Sequence, residues 1–254
     1  MNPMLILDVI RFEIRRSLTA GRIAIWLALV AFPVALITIL RINVPIDRIE
    51  QFGFTLYFLI PEVVCLLGLL LWATPAVATE IEGQTWIYLA MRRSGRSLVL
   101  LGKYFTAVAW TLSAALVGIT LSVIVIWPPE LMRMWAVMSA LAMLSCFAHA
   151  AIYLLIGVIF HRRTMVTAVI YTLVIEYGLS FVPAIANKLT VNYRLRGLLA
   201  DWMNWDEVRS QAELVFGSES ASTHLMALGI YTIVLLAVAI TKLSMSEYPT
   251  QQDG

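Results

Sequence analysis

Charge is what this chain has least of. Its 254 residues hold 18 Lys and Arg and 16 Asp and Glu, so that 13% are charged. Soluble domains average about 25%, which excludes a single water-soluble core. Mean hydropathy is +0.85, and the net charge of +2, spread beside apolar blocks, excludes a nucleic-acid partner. Cysteine is nearly missing: Cys65 and Cys146 both fall inside apolar blocks, as packing residues rather than a disulfide framework. There are three histidines. His149 lies mid-block and His161 and His224 lie at block ends on opposite sides, so no pair sits at matching depth to hold a haem. The eleven methionines are scattered without metal-ligand spacing, and HExxH, GxSxG and Cys/His metal patterns are missing. Gly102-Lys103 runs into Tyr104, and Ser97 stands where a phosphate loop needs glycine. The chain is therefore expected to be no enzyme, to carry no cofactor or metal, and to hydrolyse no ATP by itself. Asp8 and Glu13 interrupt what would otherwise be the apolar core of a signal peptide.

What is present is a series of apolar blocks near or above the roughly 18 residues that cross a bilayer. They predict an all-α polytopic membrane protein, a single transmembrane domain over 1–254 with six spans at 23–40, 56–79, 104–127, 134–160, 164–186 and 225–241. Ahead of them, residues 4–20 set Leu7, Ile10, Ile14 and Leu18 on one helical face and Asp8, Arg11 and Arg15 on another. That pattern suits an interfacial amphipathic helix. Pro33 lies inside the first span, and Ala142, Cys146 and Ala150 form a small-residue seam in the fourth.

Between the second and third spans, residues 80–102 form the one long polar interruption in the first half of the chain. With the amino terminus inside, eleven Lys and Arg lie on the inner side and seven outside, four of those in a long loop offset by five acids. Both termini and the 80–102 loop are then cytoplasmic, where the loop offers a surface on which a partner protein can act. Residues 187–223 form an extracytoplasmic segment. In it Leu195, Leu198, Leu199 and Trp202 fall at helical spacing, and Val208, Ala212, Val215 and Phe216 mark a second face. The segment reads as a lid folded into the outer leaflet or as a surface decoration. Glu62 and Glu176 are the acids inside apolar blocks. A carboxylate there costs about 2.5–3.5 kcal/mol on insertion scales. The pair either lines a substrate pathway or gate, or holds helices together by hydrogen bonds.

The 80–102 loop resembles that of the membrane (permease) subunit of ATP-binding-cassette exporters of the ABC-2 type. Glu80, Glu82, Gly83, Thr85, Leu89, Arg96, Gly102 and Lys103 match the family's pattern in order. Two departures stand out: Gln84 separates Gly83 from Thr85, and Ser94-Gly95 occupies the place where proline is common. The resemblance implies that Glu80 to Arg93 forms a coupling helix docking on a separate ATPase subunit through Glu80, Glu82, Gly83, Thr85, Trp86, Leu89, Arg92 and Arg93. It further implies two such ATPase subunits carrying ATP and Mg, a second permease copy or paralogue, and residence in the bacterial cytoplasmic (inner) membrane. The chain would couple the partner's ATP hydrolysis to export or extraction of a substrate. The alternatives are an ATP-independent secondary transporter or channel, which interrupted helices at matching positions would favour, and an intramembrane enzyme.

Overall fold

The computed structural model describes residues 3–43, 49–82, 95–160, 162–179, 185–205, 213 and 217–245. Among these the chain is helical throughout, with no strand. In order, the elements are α1 (Pro3–Ser17), α2 (Ala20–Asn43), α3 (Ile49–Tyr57), a π-helical segment Phe58–Val64, α4 (Cys65–Trp72), α5 (Pro75–Glu82), α6 (Gly95–Ile126) and α7 (Leu131–Ile159). Then follow α8 (Thr164–Tyr171), a second π-helical segment Thr172–Gly178, a 3₁₀ turn Ile185–Leu189, α9 (Val191–Met203) and α10 (Ala221–Met245). Five helical stretches are long and apolar enough to cross a membrane: Ala20–Asn43, Glu50–Trp72, Ser97–Ile126, Leu131–Ile159 and Ala221–Met245. The expected fifth span differs, because its described helix, Thr164–Gly178, is a shorter apolar piece.

Helix α7 is the axis of the bundle. Residues on every side of it are buried, Met138, Leu141, Tyr153 and Leu154 among them. On one flank α6 packs against it and carries α2 and α1; on the other, α10 and α9 do so, with α4 wedged between α6 and α7. The small-residue seam performs as its composition predicts. Ala142, Cys146 and Ala150 are fully buried, and the Cys65 and Cys146 sulfurs lie 3.6 Å apart where α4 meets α7. Small side chains let the two backbones approach closely, which in lipid replaces the missing hydrophobic drive. Outward faces stay apolar: Leu27, Phe32 and Ile39 on α2, and Ile230, Ile233 and Val238 on α10.

Local chemistry explains where the helices depart from the expected spans. Pro61 has no N–H to give, and around it the chain adopts π pairing, with Cys65 N–H donating to the Ile60 carbonyl. Ser145 Oγ on α7 donates to the Pro61 carbonyl at 2.6 Å, so an interrupted ladder is repaired from a neighbouring helix. The second span breaks at Ala73-Thr74, and Pro75 opens α5, a position where a missing N–H costs nothing. Helix α6 starts nine residues before the expected third span and so takes in the end of the polar loop.

Candidate functional site

The amphipathic segment expected in the 187–223 stretch is not a surface decoration. As α9 it is buried within the bundle, with Leu195, Leu198 and Leu199 fully covered. Its two ends are tied to α7 at well-separated heights. At the carboxyl end, Arg133 donates from Nε and Nη2 to the Trp202 carbonyl at 3.2 and 2.8 Å. At the amino end sits Glu176, whose Oε2 lies 3.8 Å from His149 Nε2. Arg133 and His149 are separated along α7 by roughly 24 Å at 1.5 Å per residue. Helix α9 thus descends from one end of the bundle toward its middle.

A helix buried within the bundle must satisfy its end groups from protein, because an unpaired buried amide or carbonyl is costly. Four amide donors are orphaned at a helix amino terminus. Glu176 accepts from Val191 N at 3.4 Å and Asn192 N at 3.1 Å, while the N-cap Thr190 accepts from Tyr193 N at 3.2 Å. Tyr171 Oη donates to Glu176 Oε1 at 2.8 Å. The carboxylate also faces the positive end of the α9 dipole. At the other end Asn204 takes the left-handed conformation, φ 58°, and Trp205 N donates back to Ala200 O.

The flanks of α9 are held by charge as well. Arg196 grips Glu62 in bidentate fashion, Nε to Oε1 at 2.7 Å and Nη2 to Oε2 at 3.1 Å. Glu62 is fully buried, and a forked pair is the arrangement best able to offset its desolvation. Arg194 and Lys188 both bind Glu219, just ahead of α10, the lysine at 2.8 Å. The Lys188 hydrogen bond, with Arg194 beside it, holds the Glu219 carboxyl below the usual carboxylate range against the opposing effect of burial. A depressed folded value means stability present above the ordinary glutamate pKa and lost as pH falls through the folded one. The melting temperature of the wild type is therefore expected to exceed that of Glu219→Gln near neutral pH. The two curves should draw together as the pH falls below the ordinary glutamate value of about 4.3.

Gly197 marks the closest approach of α9 to α10. A β-carbon there would lie 2.6 Å from His224 Cε1 and 2.7 Å from Glu213 Oε1, both groups buried. Gly197→Ala should cost about 1–3 kcal/mol through overpacking. By contrast, Gly229→Ala, with open space around it, should be neutral or stabilising by helix propensity, up to about 1 kcal/mol. Thermal unfolding in detergent separates the two.

The two intramembrane acids therefore share a target. Glu62 and Glu176 each occupy the fifth position of a π-helical segment, and each reaches α9. Their segments carry one pattern, Tyr-x-Leu-Ile/Val-x-Glu, at 57–62 and 171–176. That short repeat is the signal in the sequence that marks both sites. Between the second of them and α7, the His149 tautomer follows from its partners. Its Nδ1 lies 3.0 Å from the Ser145 carbonyl, which can only accept, so Nδ1 carries the proton. Nε2 then faces the Glu176 carboxylate at 3.8 Å.

A second charged cluster lies at the opposite end of the bundle. Lys103 on α6 donates to Glu80 Oε1 on α5 at 2.8 Å and lies 3.6 Å from Glu13 of α1. Arg16 of α1 donates to the same Glu80 oxygen at 3.2 Å. Trp110 Nε1 donates to Ser17 Oγ at 2.7 Å. Gly102 lets α1 lie close: a β-carbon there would sit 2.6 Å from Val9 Cγ1. Three helices are thus knotted together directly beside residues 83–94. Glu80, expected on a docking surface, is 4% exposed and turned into this knot. Of the other expected docking residues, Gly83, Thr85, Trp86, Leu89, Arg92 and Arg93 lie outside the described residues, as does the side chain of Glu82 at the end of α5.

No model of a known protein family matches the chain, and no curated protein matches it.

Proposed function

We propose that the chain is the permease subunit of an ATP-driven exporter of the ABC-2 type. It works with two separate ATPase subunits, which supply ATP and Mg, and with a second permease copy or paralogue in the bacterial inner membrane. Both termini are cytoplasmic, and Thr164–Gly178 with the chain that follows it makes the fifth of six crossings. The observation that carries this reading is the knot of Glu80, Lys103, Glu13 and Arg16. The stretch expected to receive force from the ATPase is flanked by α5 and α6, and both flanks are locked to each other and to α1. A displacement imposed on residues 83–94 would move three helices as one body, which is how a rigid element passes a distant closure into a membrane domain.

The test is ATP-driven transport and ATPase co-assembly in proteoliposomes. Glu82→Arg and Gly83→Pro are expected to weaken assembly or coupling while the spans still insert. Unchanged ATP-driven activity in both variants, or full transport by the purified chain alone, would overturn the reading.

One observation favours the alternative of an ATP-independent transporter. Two π-interrupted membrane helices carry buried acids at equivalent positions, and one acid lies 3.8 Å from His149. Interrupted helices with charged groups mark coupling sites in secondary transporters. Substrate movement driven by a proton gradient in vesicles without ATP would select it.

A further inference from the structure

A cleft of about 320 Å³ opens on the side of the bundle between α10 and the start of α9. That volume falls at the lower end of small-ligand sites, about 300–1,000 Å³. Its two ends differ in kind. One wall runs down α10 through Ala227, Leu228, Ile230, Tyr231 and Val234, roughly 10 Å of helix. Ile230 and Val234 are 63% and 52% exposed on the face that α10 turns away from the bundle, so the apolar trough is continuous with the lipid-facing surface. Its rim carries Lys188 and Arg194. These two cations meet Glu219 two residues before α10 begins, so the charged rim lies at the amino-terminal end of a helix long and apolar enough to cross a membrane. Arg194 directs Nε to the Lys188 carbonyl and Nη1 to Glu219. Its Nη2 has no hydrogen-bond acceptor among the described residues while the residue lines the cleft.

We infer that this cleft is a binding site for a single anionic phospholipid. Its phosphate would sit against Arg194 and Lys188, and one acyl chain would lie along α10 toward Val234. The match is one of layout. A phospholipid places its charge at the surface and its hydrocarbon below, in the order in which the cleft presents cations and then apolar wall. Basic pockets between membrane helices recognise anionic head groups by this arrangement. A guanidinium edge offers the planar fork that suits phosphate oxygens. The 3₁₀ turn Ile185–Leu189 contributes Leu189, 71% exposed, as a lip over the trough. The site adjoins the α9 amino end that Glu176 caps, through Thr190 and Val191, and stands apart from the Glu80–Lys103 knot; it holds whichever transport reading is correct.

Native mass spectrometry of the protein released from mixed phosphatidylglycerol and phosphatidylcholine vesicles tests it. The wild type is expected to retain one phosphatidylglycerol in preference to phosphatidylcholine, by about tenfold. Lys188→Gln/Arg194→Gln should abolish that preference. Ala227→Trp, which fills the trough without touching a charge or the buried core, should lower retention of the same lipid several-fold. Equal retention of both lipids by the wild type, or unchanged phosphatidylglycerol retention in Ala227→Trp, would overturn the assignment. Should the double variant fail to fold, the Ala227→Trp result decides alone.

Discussion

Arg196→Met is expected to lower the stability of the fold by about 3–5 kcal/mol, the largest effect of any single change considered. The substitution leaves Glu62 fully buried with its cation gone, and a desolvated carboxylate without a partner costs far more than the pair contributed. Glu62→Gln/Arg196→Met removes both charges at nearly constant volume and should recover most of the loss. A buried pair is often no better than a neutral replacement of the same shape. Arg196→Lys should fall between them, keeping the charge and losing one arm of the fork. Thermal unfolding in detergent of the wild type, Glu62→Gln, Arg196→Met and the double variant gives the four corners of the cycle. If the double variant is as unstable as the single, the damage lies in packing around α9 and not in the orphaned charge.

The cycle also bears on what α9 is for. A buried thirteen-residue helix, with carboxylates at its amino end and along its side and an arginine at its carboxyl end, is positioned by polar contacts at each point. Such contacts are directional, unlike the apolar packing that surrounds them. They specify one placement of α9, and an alternative placement would require moving a charge with it. Neutralising Glu62 and Arg196 together is thus expected to keep the fold while loosening that specification.

The sequence made the helical, membrane-spanning character legible because long apolar runs carry it directly, as in 23–40 and 134–160. The seam of Ala142, Cys146 and Ala150 was equally readable from its four-residue step. The place of α9 was not. Arg194, Arg196 and Lys188 read as charges of a solvated loop, since a residue's partners across the bundle, such as Glu62 for Arg196, lie 134 positions away. Nor did the pattern within 164–186 reveal where its described helix stops. Glu176 read as one acid inside a span, whereas it caps a helix that begins fifteen residues later. Glu80, which the family resemblance puts on a docking surface, is instead buried by Lys103 and Arg16, which arrive from separate helices.

Lys103→Glu is expected to abolish energy coupling under the proposed function while the spans still insert. The change sets a third acid beside Glu80 and Glu13, replacing attraction at 2.8 and 3.6 Å by repulsion in a partly buried site. Lys103 itself is 10% exposed and Glu80 5%, so solvent screens little of it. Helices α5 and α6 would separate at the point where they flank residues 83–94, and motion of one would no longer commit the other. The exchange Glu80→Lys/Lys103→Glu restores the central pair, yet it sets the new lysine against Arg16 and leaves the new glutamate beside Glu13. Rescue should therefore be partial. Adding Glu13→Gln should improve it, because that removes the remaining like-charge contact; Arg16, 56% exposed on its side chain, can turn away into solvent. Transport per ATP hydrolysed, measured alongside the melting temperature, is the informative ratio. A coupling loss that follows stability through all three variants would assign the knot to folding alone. A coupling loss that the triple variant repairs at unchanged melting temperature would assign it to force transmission.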